Sequence, residues 1–205
     1  MGITHYDKVA CKDLRASGKH YELVTETFYA PAAKAVNLHA AISGLASGAL
    51  VVTTGFSAPD VPRNIQLVVG GTAADVPAGT VTIKGTNIAD QAIQEDFTLT
   101  VNTTGTITGN KAFKTVTEID IPQCDGAGVT FTPQTGDKLG LGSKLDSPPI
   151  QRLVDAASGG TFAADNATVA TSVTAFESNT MLPADIADGT SDYRIVYVTE
   201  ILDEW

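Results

Sequence analysis

The chain has 205 residues, 43 % of them hydrophobic and 18 % charged, a balance too apolar for a disordered polymer and sufficient for a packed core. Lys and Arg number 13 against 23 Asp and Glu, a formal net charge of −10, which disfavours a nucleic-acid groove because such grooves need clustered cations to displace phosphate counterions. Gly at 19, Pro at 9 and only 2 Met suit short strands joined by tight turns. The expected fold is all-β and mainly antiparallel: a β-sandwich or small β-barrel body with an extended N-terminal arm and at most short helices.

Cys11 and Cys124 belong to no CxxC or Cys/His cluster, so two free thiols are expected rather than a zinc knuckle or a disulfide framework. The opening MGITHYDKVACKDLR lacks the apolar stretch of a signal peptide, and nowhere does the chain offer the ~18 apolar residues of a spanning helix. Synthesis and folding in a cytoplasm, with no membrane partner, are expected.

In chain order, residues 1–60 read as an N-terminal arm and first strands, and residues 61–205 as the sandwich-like body. The arm mixes both charges with Tyr6, Tyr21, Phe28 and Tyr29, and a faint alternation in YELVTETFYAP predicts one strand. Over residues 36–56, Val36, Leu38, Ala40 and Ile42 alternate as in a strand, while Leu38, Ile42, Leu45 and Ala49 could line a helix. Gly44 and Gly48 each cost a helix interior roughly 1 kcal/mol, which favours two strands and a turn.

From residue 64 a period of two dominates. Ile65, Leu67 and Val69 share one face; so do Val81 and Ile83, and then Ile93, Phe97, Leu99 and Val101. In GNKAFKTVTEIDIP, residues 109–122, Phe113, Ile119 and Ile121 are in phase and Val116 is not. A bulge near Thr115 to Thr117 repairs the phase, which makes the stretch a bulged strand with its lead-in turn. GVTFTP is another short strand, and TGDKLGLGSKL a glycine-punctuated exit. Residues 143–180 read as a loop-rich excursion, with PPIQRLVDAAS the best place for a short helix. The last strand, SDYRIVYVTEIL, is apolar on both faces, Tyr193, Ile195, Tyr197 and Ile201 on one, Val196 and Val198 on the other; it is central or is covered by a neighbouring subunit.

Chemistry has no clear address. His5, His20 and His39, with Cys11, match no metal-ligand spacing, so packing or surface histidines are the better reading and no metal is expected. Asp185, Asp188 and Asp192 do not follow the spacing of a calcium loop, and an Asp-Gly turn before a strand accounts for them. Glu95 shares phase with Ile93 and Phe97; the preferred role is a rim carboxylate bonded to a loop or paired with Lys111 or Lys84, not a general acid, for which no partner is visible. GxSxG, P-loop and dinucleotide fingerprints are missing. No enzyme, catalytic residue or cofactor is therefore expected.

The succession PRNIQLVVGGT, GTVTIKGTNIADQAIQEDFTLT, GNKAFKTVTEIDIP, GVTFTPQTGDKLGL and LPADIADGTSDYRIVYV resembles tailed-bacteriophage virion structural proteins of the capsid decoration, or cement, type. The likeness covers residues 62–142 and 181–198, and departs from the family where NIADQAI lacks the glycine that usually closes the turn after the second strand. The resemblance implies a β-rich homotrimer on the outside of an assembled head, bound to the major capsid protein: a component of the virion surface made in the host cytoplasm. Tyr6, Tyr21, Phe28 and Tyr29 of the arm, with Tyr193 and Tyr197, are then the candidate interaction residues, since aromatic side chains give contact area at low entropic cost. The rival readings are a tail, neck or fibre-base component and an Ig-like or carbohydrate-binding adhesion module.

Overall fold

The computed structural model of the chain describes residues 4–11, 20–145, 154–157, 161–164, 167–184 and 187–201. Its strands are β1 (Thr4–Cys11), β2 (His20–Phe28), β3 (Ile42–Ser43), β4 (Leu50–Val52), β5 (Arg63–Gly71), β6 (Gly79–Thr86), β7 (Ala92–Leu99), β8 (Gly105–Phe113), β9 (Thr115–Ile121), β10 (Val129–Gly140), β11 (Val154–Ala157), β12 (Thr161–Ala164), β13 (Thr168–Ala170), β14 (Thr180–Leu182) and β15 (Asp192–Ile201). The helical elements among the described residues are two single 3-10 turns, Ala73–Asp75 and Phe176–Ser178. Every strand pairing described is antiparallel. The fold is all-β, as the alternation and the turn residues require.

Two sheets make the body. One has the order β13-β14-β10-β5-β8, with β3 also paired to β10; the other is β4-β9-β6-β7. Their facing sides close on a single core that includes Ile65, Leu67, Val69, Val81, Ile83, Phe97, Leu99, Val116, Ile119, Val129 and Phe131. The outward side is threonine-rich and polar, which is the signature of a sheet buried on one face. Val101 is the exception to its predicted row: it lies beyond the end of β7 in a turn and is half exposed.

Residues 109–122 are not one strand. The first part belongs to β8, which pairs with β5; the second is β9, which pairs with β6 and β4. Lys114 between them turns the chain from one sheet to the other, its N–H donating to Thr86 O at 2.8 Å. The expected bulge sits inside β9: Lys84 pairs with Glu118 and Gly85 with Val116, so Thr117 is the extra residue. That extra residue lets Val116 and Ile119 both reach the core. A glycine is needed opposite, because a Cβ on residue 85 would strike the carbonyl oxygen of Thr115.

The chain before residue 60 is more than an arm. Leu38 and Ile42 enter the sandwich core, and β3 and β4 supply the two short strands expected between residues 36 and 56. Further upstream β1 and β2 form a hairpin in a third sheet, with the order β1-β2-β15-β11-β12. This sheet has its own core, in which Val24, Phe28, Tyr193, Ile195 and Tyr197 meet Val61, Leu139, Leu141, Leu145 and Met181. Apolar alternation in YELVTETF marks β2; the single predicted strand omits β1.

The excursion at 143–180 also holds more order than its composition suggests. Val154–Ala157, within the segment expected to be helical, is strand β11 paired with β15 and β12, and Thr168–Ala170 is β13. Residues 148–153 and 158 of that segment lie outside the described residues. The β-branched Val154 and the open side of β15 favour sheet extension over a helix that would begin at a proline pair. β10 continues through TGDKLG to Gly140 instead of ending at Pro133, slipping register against β5 between Thr135 and Leu139. Phe131 near its start lies in the sandwich core and Leu139 near its end in the second.

Candidate functional site: the terminal sheet

The third sheet gathers the two ends of the chain, with β15 in the middle. β15 is central, as one of the two expectations for it had it, with β2 on one edge and β11 on the other. Tyr6 stands opposite Glu26, Tyr21 opposite Cys11 and Glu200, and Phe28 opposite Thr4 and Tyr193. Tyr197 faces Val24 across the pair, and Tyr29 follows β2 directly. The six aromatic residues picked out in the sequence therefore come together on or beside three adjacent strands.

Their availability differs from the expectation. Phe28, Tyr193 and Tyr197 have 0 % exposure and fill the second core, because each lies in phase with the apolar positions of its strand. They are corrected from contact residues to anchors that hold the sheet on the body. Tyr29 is 42 % exposed. Tyr6 and Tyr21 are placed by strand register alone.

A carboxylate accompanies the anchors. Glu26 is in phase with Val24 and Phe28 and is fully buried; its Oε2 accepts from the Tyr197 hydroxyl at 3.1 Å and from Gly142 N–H at 3.2 Å. A second buried charge sits where the two cores meet. Arg63 is in phase with Ile65, Leu67 and Val69, has 0 % exposure, donates from Nη1 to Ala32 O at 2.9 Å and lies 3.4 Å from Asp60 Oδ1. Burial pushes the guanidinium pKa down from its ordinary value, opposed by the charges of Asp60 and Asp137. The sequence signal for both is a charge in register with an apolar row, Arg63 with Ile65, Leu67 and Val69, and Glu26 with Val24 and Phe28.

The chain leaving β2 is pinned at this joint. Ala30 N–H donates to Asp192 Oδ1 at 2.9 Å, Ala32 N–H to Asp60 Oδ2 at 2.7 Å and Gly189 N–H to Pro31 O at 2.9 Å. Ala30 is held at φ 40, a left-handed conformation uncommon for a residue with a side chain. The terminal sheet is thus fixed by side-chain packing beneath it and by backbone bonds at its exit.

The other singled-out groups are structural. Asp188 caps its own turn, accepting from Thr190 N–H at 2.8 Å, the Thr190 hydroxyl at 2.8 Å and Ser191 N–H at 3.0 Å, and these bonds hold its carboxyl below the usual range. Asp185 lies outside the described residues. His39 bonds Ala40 O through Nδ1 and packs on Phe56, ring centroids 5.0 Å apart. For His5, His20 and Cys11 only the strand position is described. Glu95 reaches from β7 to β8, accepting from Asn110 N–H at 2.6 Å and Lys111 N–H at 3.3 Å, the rim role expected of it; burial pushes its pKa up, partly opposed by those bonds.

Among the described residues no group of three or more His, Cys, Asp or Glu is arranged to hold a metal ion, and no helix is long and apolar enough to cross a membrane. No protein-family model, curated protein or solved structure matches the chain. The fold and the site define an all-β protein with a sandwich-like body and an anchored sheet formed by its two ends.

Proposed function

We propose that the chain is a non-enzymatic component of a phage virion, a capsid decoration protein that binds the outside of the assembled head and stabilises it. The observation that carries this reading is the terminal sheet. It is anchored on a buried core, and its outermost strand β1 pairs, among the described strands, with β2 alone. An edge strand offers a row of backbone donors and acceptors to a neighbouring chain, and the exposed Tyr29 directly follows β2, the strand that β1 pairs with. A two-fold pairing of β1 with itself about its middle sets Asp7 against Asp7 or Lys8 against Lys8, which like-charge repulsion disfavours. The edge therefore suits a different strand, on the major capsid protein or on another copy in a trimer. Many copies, each held weakly, would reinforce a shell by acting together.

The test is sedimentation. The purified chain is expected to sediment as a trimer and to co-sediment with undecorated heads in a fixed ratio. A chain that leaves the heads empty at every concentration sinks the reading.

A further inference from the structure

The joint between the two cores contains three buried polar atoms that the strands do not satisfy. Arg63 uses one guanidinium nitrogen, Nη1, for Ala32 O and Asp60. Its Nε and Nη2, the side-on edge of the guanidinium, have no hydrogen-bonding partner among the described residues, and neither does Asp137 Oδ1. The other Asp137 oxygen accepts from Lys34 Nζ at 2.9 Å. Leaving a buried guanidinium edge unbonded is costly, and native proteins almost always fill such sites.

The register of β5 against β10 brings the two residues near each other. Arg63 pairs with Leu139, two residues beyond Asp137, at the point where β10 slips register against β5. The slip widens β10 there: Asn64 fills the space beside Gly136 and accepts from Lys138 N–H at 2.9 Å. The charges of Asp60 and Asp137 both favour the charged form of the guanidinium.

We propose that Arg63 Nε and Nη2 and Asp137 Oδ1 line a binding site for an internal water molecule that bolts the terminal-sheet core to the sandwich body. The polarity of the site selects the ligand. An oxyanion would bond the guanidinium edge but meets the carboxylates of Asp60 and Asp137; a metal cation would bond the carboxylates but meets Arg63. Water accepts from the two N–H groups and donates to Asp137 Oδ1, which gives it the roughly three bonds typical of buried waters. Because Arg63 stands on β5 and Asp137 on β10, the two strands whose pairing runs between the cores, the bridge stiffens the angle at which the terminal sheet is carried.

A high-resolution crystal structure of the full chain is expected to show one ordered water within hydrogen-bonding distance of the Arg63 edge and Asp137 Oδ1. In solution, oxygen-17 relaxation dispersion should count at least one fewer long-lived water in Arg63→Met than in the native chain. Should that variant fail to fold, Asp137→Ala, which removes the acceptor from the less buried side of the site, is expected to lose the same water. Direct bonding of the guanidinium edge to Asp137, an anion in the site, or an unchanged count in Asp137→Ala overturns the proposal.

Discussion

Tyr197 and Glu26, 171 positions apart in the chain, meet in the core beneath the terminal sheet, where the phenol donates to Glu26 Oε2 at 3.1 Å. The pair ties β15 to β2 with an uncommon element, a carboxylate on an otherwise apolar face. An intramolecular hydrogen bond contributes about 0.5–1.5 kcal/mol net, and about 1.5–3 kcal/mol where one partner is charged. Tyr197→Phe, which keeps the ring and removes only the donor, is expected to lower unfolding stability by about that amount in urea titrations. A loss smaller than the error of the extrapolation would show that Glu26 draws little from this bond.

The Glu95 carboxyl gives a pH prediction of definite sign. Its folded pKa is raised, chiefly by burial, so the folded chain holds this proton more tightly than the unfolded one. The stability it contributes is fully present below the unfolded carboxylate value and is lost as pH rises through the raised folded value. Thermal melts of the native chain and Glu95→Gln should therefore diverge in favour of the glutamine as pH climbs from about 3 to 7. A carbon-detected titration placing Glu95 at or below the ordinary carboxylate range contradicts the assignment.

How far the sequence foretold this molecule depends on the separation of its contacts. Rows such as Ile65-Leu67-Val69 announce a half-buried strand because the period of two is local. The bulge in β9 was legible too, because Val116 broke phase with Ile119. The turn of the chain at Lys114 was hidden: apolar phase runs through it, and only the change of pairing partner, from β5 to β6, reveals that the strand changes sheets. β1 was hidden for another reason. Its pattern THYDKVAC is polar and charged, and its place depends on β2, which in turn pairs with β15 at the other end of the chain. Arg63 and Glu26 carry charges, which are mostly exposed in folded proteins, yet their phase puts both inside.

Two glycines separate close packing from mere composition. At Gly85 a methyl group meets the Thr115 carbonyl oxygen of the paired strand and comes within 3.1 Å of the Phe113 ring. Gly85→Ala must push β9 away at its bulge and is expected to destabilise by roughly 1–3 kcal/mol. At Gly48 nothing lies within 4 Å of the new methyl, so Gly48→Ala should be neutral or stabilising by up to about 1 kcal/mol. Urea midpoints of the two variants, compared with equal m-values, decide the matter; equal losses would mean that the approach of β9 to β6 is not tight.

The proposed division of the N-terminal segment into a docking edge, β1, and an anchor, β2, predicts two unlike truncations. Removing residues 2–30 takes away Val24, Glu26 and Phe28, all with 0 % exposure, and exposes Tyr193 and Tyr197. Phe28→Ala alone is expected to cost about 3–5 kcal/mol, so the longer deletion should abolish cooperative unfolding of the second core. Removing residues 2–19 takes away β1 and leaves β2 paired with β15. That chain should retain its β-sheet circular dichroism and a cooperative melt while losing co-sedimentation with undecorated heads. Full binding by the shorter deletion would move the contact away from the β1 edge, and loss of folding in both would show that β1 is part of the anchor.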